Sequence, residues 1–266
     1  MKELEFLRVI SDEPDVCSYL PDRTARLPLC LPVTQVTGEH LDLMLENGYR
    51  RSGAFFYRPS CPQCAACEAI RIATVAVSDE ATTGDSADAS GVRPGAIGAE
   101  DGIPVFRPSR THKRTLQRGE RELRFEVNLP TVDRQRVELF NLHRRERGLD
   151  HGDAGGITTS EYRSFLLNAP CDSLELSIWY EMELIAVSIS DVGTRSLSAV
   201  YTYFDPSYSK YGLGTLAVLK QWELGRQTDR RWLYLGLYVE ANRHLNYKAR
   251  FRPHQRRVGG EWRSFH

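Results

Sequence analysis

At 266 residues, with 41% apolar and 26% charged residues, the chain can build one large domain or two smaller ones and has the balance of an ordinary soluble globular protein. No apolar run approaches the ~20 residues needed to cross a bilayer, the charged opening segment lacks a signal-peptide core, and six cysteines, three of them clustered, do not read as a secreted disulfide framework. Net charge is zero but uneven: residues 104–128 carry +4, 243–266 carry +6 and 79–103 carry −5, so a cytoplasmic protein that meets a polyanion through a local surface is expected.

Residues 14–37 hold closely spaced prolines, which exclude a helix interior and predict extended or turn structure; Cys30, between leucines, reads as a packing thiol. A short helix is predicted from His40 to Asn47, ended by Gly48, with Leu41, Met44 and Leu45 on one face. Ile70–Val77 alternates like a strand. Residues 79–103, small, acidic and free of aromatics, predict a disordered insertion. That insertion would separate an N-terminal Cys-containing module, 1–78, from a second domain, 104–266.

In the second half, Ser109–Arg121 predicts a basic helix or turn, followed by a strand over Leu123–Val127 and a helix capped by Thr131 and running to Arg147. A short helix opens at Thr159. Strands over Leu174–Tyr180, Leu184–Asp191 and Ser196–Phe204, joined by tight turns, predict an antiparallel meander. A Gly-containing turn then leads into an amphipathic helix reaching Gln227, with Leu216, Leu219 and Trp222 inward. A strand over Arg231–Val239 and a short helix from Asn242 to Arg250 follow.

Two patterns carry chemistry. Cys61, Cys64 and Cys67 recur every third residue, a spacing that lets thiols converge on zinc or an iron–sulfur cluster, with Cys17 as the upstream candidate for a fourth ligand. The bland alternative is a compact loop of reduced structural cysteines. Secondly, strands, a Gly-rich turn, a helix and another strand follow the core order of the GNAT (N-acetyltransferase-like) fold, an α+β mixed sheet. The turn Ser209-Lys-Tyr-Gly212-Leu-Gly214 would present free backbone N–H groups to an anion. Acetyl-CoA users carry Gln or Arg where Ser209 stands. A CoA-dependent N-acyltransferase and a non-catalytic Cys-rich nucleic-acid-binding protein are therefore the alternatives to the reading that follows.

Taken together, the segment Cys17–Leu27, the run Gly48–Gly53, Phe56-Tyr-Arg-Pro with the Cys triplet, Tyr234-Leu-Gly236 and Asn246-Tyr-Lys-Ala-Arg-Phe-Arg-Pro-His254 resemble bacterial leucyl-tRNA–protein transferases, relatives of the arginyltransferases. The resemblance spans nearly the whole chain outside 79–103. It implies a GNAT-type aminoacyltransferase that moves leucine, with arginine as the alternative donor residue, from aminoacyl-tRNA to N-terminal Asp or Glu and so marks proteins for degradation. The eukaryotic relatives have Cys-x-x-Cys where this chain has Cys17-Ser-Tyr-Leu20.

No cofactor is needed for such a transfer, because the ester is already activated. Tyr201, Tyr203, Tyr208 and Tyr211 are the candidate proton shuttles, with aromatic packing as the alternative for each. Basic residues of 107–124 and 243–257 are expected at tRNA phosphates. Reading an acidic acceptor needs a cation, and the candidates are Arg50, Arg51, Arg71, Lys248, Arg250 and Arg252. Arg51 or Arg71 is expected to read the acceptor, and Lys248 or Arg250 to hold tRNA. Ser209, Gly212, Gly214, Asn246 and Tyr247 complete the expected substrate-binding set, and a monomer is expected.

Overall fold

The computed structural model describes residues 4–75, 103–149 and 156–266. The first part of the chain forms β1 (Leu7–Ser11), β2 (Pro14–Val16), β3 (Thr24–Arg26), β4 (Leu29–Pro32), α1 (Gly38–Glu46), β5 (Arg50–Ser52), β6 (Phe55–Tyr57) and β7 (Glu68–Ala73). The second part forms α2 (Arg110–Glu122), β8 (Arg124–Asn128), α3 (Arg134–Glu146), the short α4 (Thr159–Tyr162), β9 (Ser173–Tyr180), β10 (Glu183–Val192) and β11 (Ser196–Phe204). It closes with α5 (Leu213–Gln227), β12 (Trp232–Tyr238), β13 (His254–Val258) and β14 (Glu261–Phe265). The fold is α+β, built on a mixed sheet of eight strands in the order β14-β13-β7-β12-β11-β10-β9-β8, beside a four-stranded sheet β1-β4-β6-β5.

Local sequence explains most of these elements. Thr37 and His40 form a capping box that starts α1, and Leu41, Met44 and Leu45 bury its apolar face. Asp133, two residues after the expected Thr131, accepts the Arg136 N–H and caps α3. Leu216, Leu219 and Trp222 of α5 pack onto the large sheet with Ile70, Ile185 and Leu233. The meander of β9, β10 and β11 is the one expected.

Three features differ from the expectations. β7 ends at Ala73, short of the expected Val77, with the Thr74 N–H still donating to the Arg231 carbonyl in register with β12. It also pairs with β12 and β13, so the large sheet runs across the boundary expected at residue 78. The last helix is a single 3₁₀ turn, Asn246–Arg250, and the chain then forms the hairpin β13–β14 around Gly259 and Gly260, both at positive φ. A Gly-Gly pair between two short alternating runs is a hairpin signal. The acidic insertion, apart from Ile103, lies outside the described residues.

β11 and β12 form the sheet's parallel pair, and their ladder covers Ser196–Ser198 against Trp232–Tyr234. Just beyond it each strand bulges. Val200 is the extra residue of β11 against β10, and Leu235 that of β12 against β7. A bulge bends its strand away from straight pairing. Each strand therefore follows its antiparallel neighbour, and the two splay apart.

Candidate active site at the strand splay

The splay opens into a cleft of about 1070 Å³ lined by both halves of the chain. Its lining includes Tyr19, Arg50, Arg51, Ser52 and Tyr57 from the first part, and Phe140, His143, Arg144 and Arg147 from α3. Tyr201 and Thr202 of β11, Gly212–Thr215 at the start of α5, Gly236 of β12 and the stretch from Asn242 to Lys248 supply the remaining walls. Seven Lys or Arg side chains line it against one carboxylate among the described residues, Glu161. The cleft is strongly cationic although the chain is neutral.

Arg50 and Lys248 hold its floor. Arg50 Nη2 donates to the Ala199 carbonyl at 2.8 Å, just past the last parallel pair, and Lys248 Nζ donates to the Leu237 carbonyl at 2.8 Å on the facing strand. Gly236, at φ +98°, makes room for both. A Cβ there would lie 3.0 Å from Arg50 Nη2 and 3.1 Å from Lys248 Nζ. Nη1 of Arg50 is buried with no hydrogen-bond partner. Burial lowers the Arg50 guanidinium from its ordinary value, and desolvation, aided by Arg50, pulls Lys248 down to about 7.

α5 begins at Gly212, φ +60°, with no side chain capping its first N–H groups, and Leu213, Gly214 and Thr215 of that turn line the cleft. One wall is aromatic: Tyr201 lies 5.3 Å from Phe140 and 5.6 Å from Phe165, centroid to centroid. His143 sits with Nδ1 3.0 Å from the Phe204 carbonyl, and burial lowers it to about 4, so it stays neutral. At the rim, Arg147 Nη2 lies 3.2 Å from His244 Nδ1, and Arg243 is exposed.

The structure sorts the expected residues. Of the four tyrosines only Tyr201 lines the cleft. Tyr203 is buried in the core, its hydroxyl 2.5 Å from that of Tyr162. The Tyr208 hydroxyl donates to Glu183 and that of Tyr211 to Glu122, both at 2.8 Å. Arg51 lines the cleft, but its guanidinium is committed to Asp191 at 2.9 Å and to the Gly53 carbonyl at 3.0 Å. Arg71 is outside, stacked 3.7 Å from the Trp232 ring and 3.9 Å from that of Trp262, and bonded to Gln255, Tyr234 and Glu46.

Ser209, Gly212, Gly214, Tyr247, Lys248 and Arg250 line the cleft. Asn246 donates instead to the Glu240 carbonyl, and Arg252 to those of Ala249 and His266. No residue of 103–124 lines it. Arg107, Arg110, Lys113 and Arg114 are exposed on and just before α2. That helix flanks the start of α5, with Thr115 Cγ2 3.9 Å from the Cβ position of Gly212. Sequence reasoning missed Tyr19, Tyr57, His143, Arg144 and Arg147. The last three lie at helical spacing from Phe140, which was the available signal.

The cysteines gather without closing. The Cys67 thiol is pushed up to about 12, first by burial and then by Cys17, Cys61 and Cys64, so those three thiols stand close enough to act on it. Cys61 Sγ accepts the Arg26 N–H at 3.3 Å. Among the described residues no three Cys, His, Asp or Glu side chains are placed to hold a metal ion. Cys30 is buried, as expected.

Residues 15–78 match the family model of the arginine-tRNA-protein transferase N terminus, and residues 135–258 that of its C terminus. An aspartate/glutamate leucyltransferase from Aeromonas hydrophila is 32% identical over 99% of this chain and 98% of its own length. One from Vibrio cholerae is 30% identical, covering 98% of each chain, and one from Halorhodospira halophila is 33% identical, covering 93% of each. Among solved structures, a lysylphosphatidylglycerol synthetase C-terminal domain from Agrobacterium fabrum covers 84% of this chain and 62% of that chain, with TM-score 0.47 and 12% identity.

Proposed function

The chain belongs to the aspartate/glutamate leucyltransferases, within the arginine-tRNA-protein transferase family, and from that premise we propose that the cleft is where leucine passes from leucyl-tRNA to an N-terminal Asp or Glu. The protein is a tRNA-dependent aminoacyltransferase that generates a destabilising N-terminus. The observation that carries the placement is the meeting of a cationic cleft, an aromatic wall and an uncapped helix start at one strand splay. That arrangement also supports the GNAT-like reading of the α+β fold.

The aminoacyl ester is already activated, so the protein's task is to place it beside a neutral amine and stabilise the charge that develops. The acceptor amine, with a free pKa of ~8, is largely protonated at neutral pH and reacts through its neutral fraction. The amine nitrogen bonds to the ester carbonyl carbon as the bond to the ribose oxygen breaks. The amine's proton passes to the departing ribose hydroxyl through Tyr201 or a water. First-turn N–H groups of α5 suit the terminal phosphate or the oxyanion. Phe140, Phe165 and Tyr201 suit the leucyl side chain, and rim residues Arg147, Arg243 and Arg250 the tRNA backbone.

A thiolate-bound zinc or iron–sulfur group at Cys17, Cys61, Cys64 and Cys67 remains a proposal, supported by the nearness of the other three thiols to Cys67, and no step of the transfer uses it. A monomer acting in the cytoplasm suits these substrates. Among the described residues no helix is long and apolar enough to cross a membrane.

The test is to offer leucyl-tRNA and arginyl-tRNA with peptides beginning in Asp, Glu, Arg, Lys or Ala, beside an acetyl-CoA control. Leucine should appear on the Asp and Glu peptides. Transfer of acetyl in its place, or of nothing, would overturn the proposal.

A further inference from the structure

We propose that Arg50 and Lys248, converging over Gly236 at the floor of the cleft, form the subsite that holds the side-chain carboxylate of the acceptor's first residue. The inference rests on the reading of the cleft as the place of leucyl transfer, and it adds which residues read the acceptor. The two cations reach the floor from opposite halves of the molecule, and both Arg50 Nη2 and Lys248 Nζ lie within 3.1 Å of the Cβ position of Gly236. Each caps one backbone carbonyl of the splayed strands, Ala199 and Leu237.

Those carbonyls supply partial charge only, and Arg50 Nη1 has no partner. The nearby carboxylate, Asp191, is taken up by Arg51 Nε at 2.9 Å and Ser173 Oγ at 3.1 Å. The one carboxylate that lines the cleft among the described residues, Glu161, accepts from Thr158 at the start of α4. Two desolvated cations without a counter-charge are a poor structural device, because burying charge without a partner is unfavourable. An incoming anion corrects that.

Position decides which anion it is. Cations that track a nucleic-acid backbone sit at exposed surfaces, as Arg243 and Arg250 do at the rim. Arg50 is instead only 7% exposed and pinned between two strands. A floor site of this kind admits one small planar anion, and a guanidinium beside an ammonium suits a carboxylate. The phenols of Tyr19 and Tyr57, which also line the cleft, stand close enough to Arg50 to act on its charge, and they narrow the site further. Gly236 then has a reason beyond its backbone conformation: any side chain there would occupy the place the two cations share.

The experiment compares matched peptides beginning with Asp or Asn, and with Glu or Gln, on wild type, Lys248→Met and Arg50→Gln, with Lys248→Arg as the conservative variant. Transfer from leucyl-tRNA gives KM and kcat, and fluorescence anisotropy of labelled peptides gives binding without catalysis. On either variant that removes charge, the Asp-over-Asn preference should fall by about 10- to 100-fold, chiefly through KM. Lys248→Arg should recover part of it, and leucyl-tRNA affinity should stay within about twofold. If Arg50→Gln does not fold, Lys248→Met alone carries the test. An equal loss for acidic and neutral acceptors, or a loss of leucyl-tRNA binding, would overturn the assignment. Wild type that transfers no leucine to any peptide would instead overturn the underlying reading of the cleft.

Discussion

Arg50 and Arg51 leave one three-residue strand and end in opposite electrostatic situations. On the inner side Arg51 meets Asp191 with both side chains essentially inaccessible, and carbonyls of Gly53 and Leu166 take further N–H groups. On the cleft side Arg50 meets a second cation and backbone dipoles. The difference separates a charge that completes the fold from a charge left for a ligand. A buried cation matched by a carboxylate can be explained without any substrate. One matched by another cation cannot.

The comparison is sharpened most by breaking the matched side. Arg51→Ala leaves Asp191 buried and unpaired, and such losses destabilise by about 3–5 kcal/mol. Urea unfolding should register that loss, with transfer to every acceptor falling together as folded protein is lost. The double change Arg51→Met with Asp191→Leu should recover much of it, since it removes both charges at once. If Arg51→Ala melts like wild type but discriminates poorly between Asp and Asn peptides, the two arginines have been assigned the wrong way round.

Gly236→Ala attacks the other side. A residue with a Cβ at φ +98° is strained by about 1–3 kcal/mol, and the added methyl presses on Arg50 and Lys248. Melting should fall modestly. KM for acidic peptides should rise by more than that loss of stability explains. A variant with wild-type preference would mean the two cations move aside without consequence.

Much of this was legible beforehand, for identifiable reasons. The meander β9–β11 and the helix α5 carried strong period-2 and period-3.6 patterns, and the full set of short motifs pointed to the family. The pairing of β7 into the far sheet was not legible, because strand partners are set by contacts across the chain. The roles of the arginines were hidden for a related reason. Arg50, Arg51 and Arg71 are one residue type in similar motifs, and only their partners, the Ala199 carbonyl, Asp191 and the Trp232–Trp262 pair, tell them apart. The four candidate tyrosines are all near in sequence to the turn before α5. Tyr203 lies two residues from Tyr201 on the same face of β11, but burial beside Tyr162 places it in the core.

The state of Lys248 gives a pH test of the unmatched side. Its folded value is about 7 against an ordinary 10.5. Below pH 7 both folded and unfolded chains hold the proton, so the full penalty of a buried charge is present. Between pH 7 and 10.5 the folded chain has lost the proton and the unfolded chain keeps it, so stability attributable to this group rises with pH. Lys248→Met should therefore melt above wild type at pH 6, and the gap should narrow steadily towards pH 10. Saturating Asp-peptide should narrow it at pH 6 as well, by supplying the missing negative charge. A gap that does not change with pH would mean that Lys248 is not desolvated.

The smallest effect tests whether cations outside the cleft belong to the same interface. Arg110, Lys113 and Arg114 are exposed on α2, and that helix lies beside the start of α5, which lines the cleft. A tRNA whose aminoacyl end enters the cleft must leave across some neighbouring surface, and this face is basic. Arg114→Gln should leave folding within ±0.5 kcal/mol, as expected for an exposed position. It should weaken leucyl-tRNA binding slightly and lower the salt slope by about 0.7 to 0.9 for one lost phosphate contact. Because a phosphate contact does not sense the acceptor, Asp and Glu peptides should lose equally, with their preference over Asn and Gln unchanged. The rim variant Arg243→Gln should behave alike. A salt slope that responds at Arg243 but not at Arg114 would confine the tRNA interface to the cleft mouth and leave α2 as a solvated face.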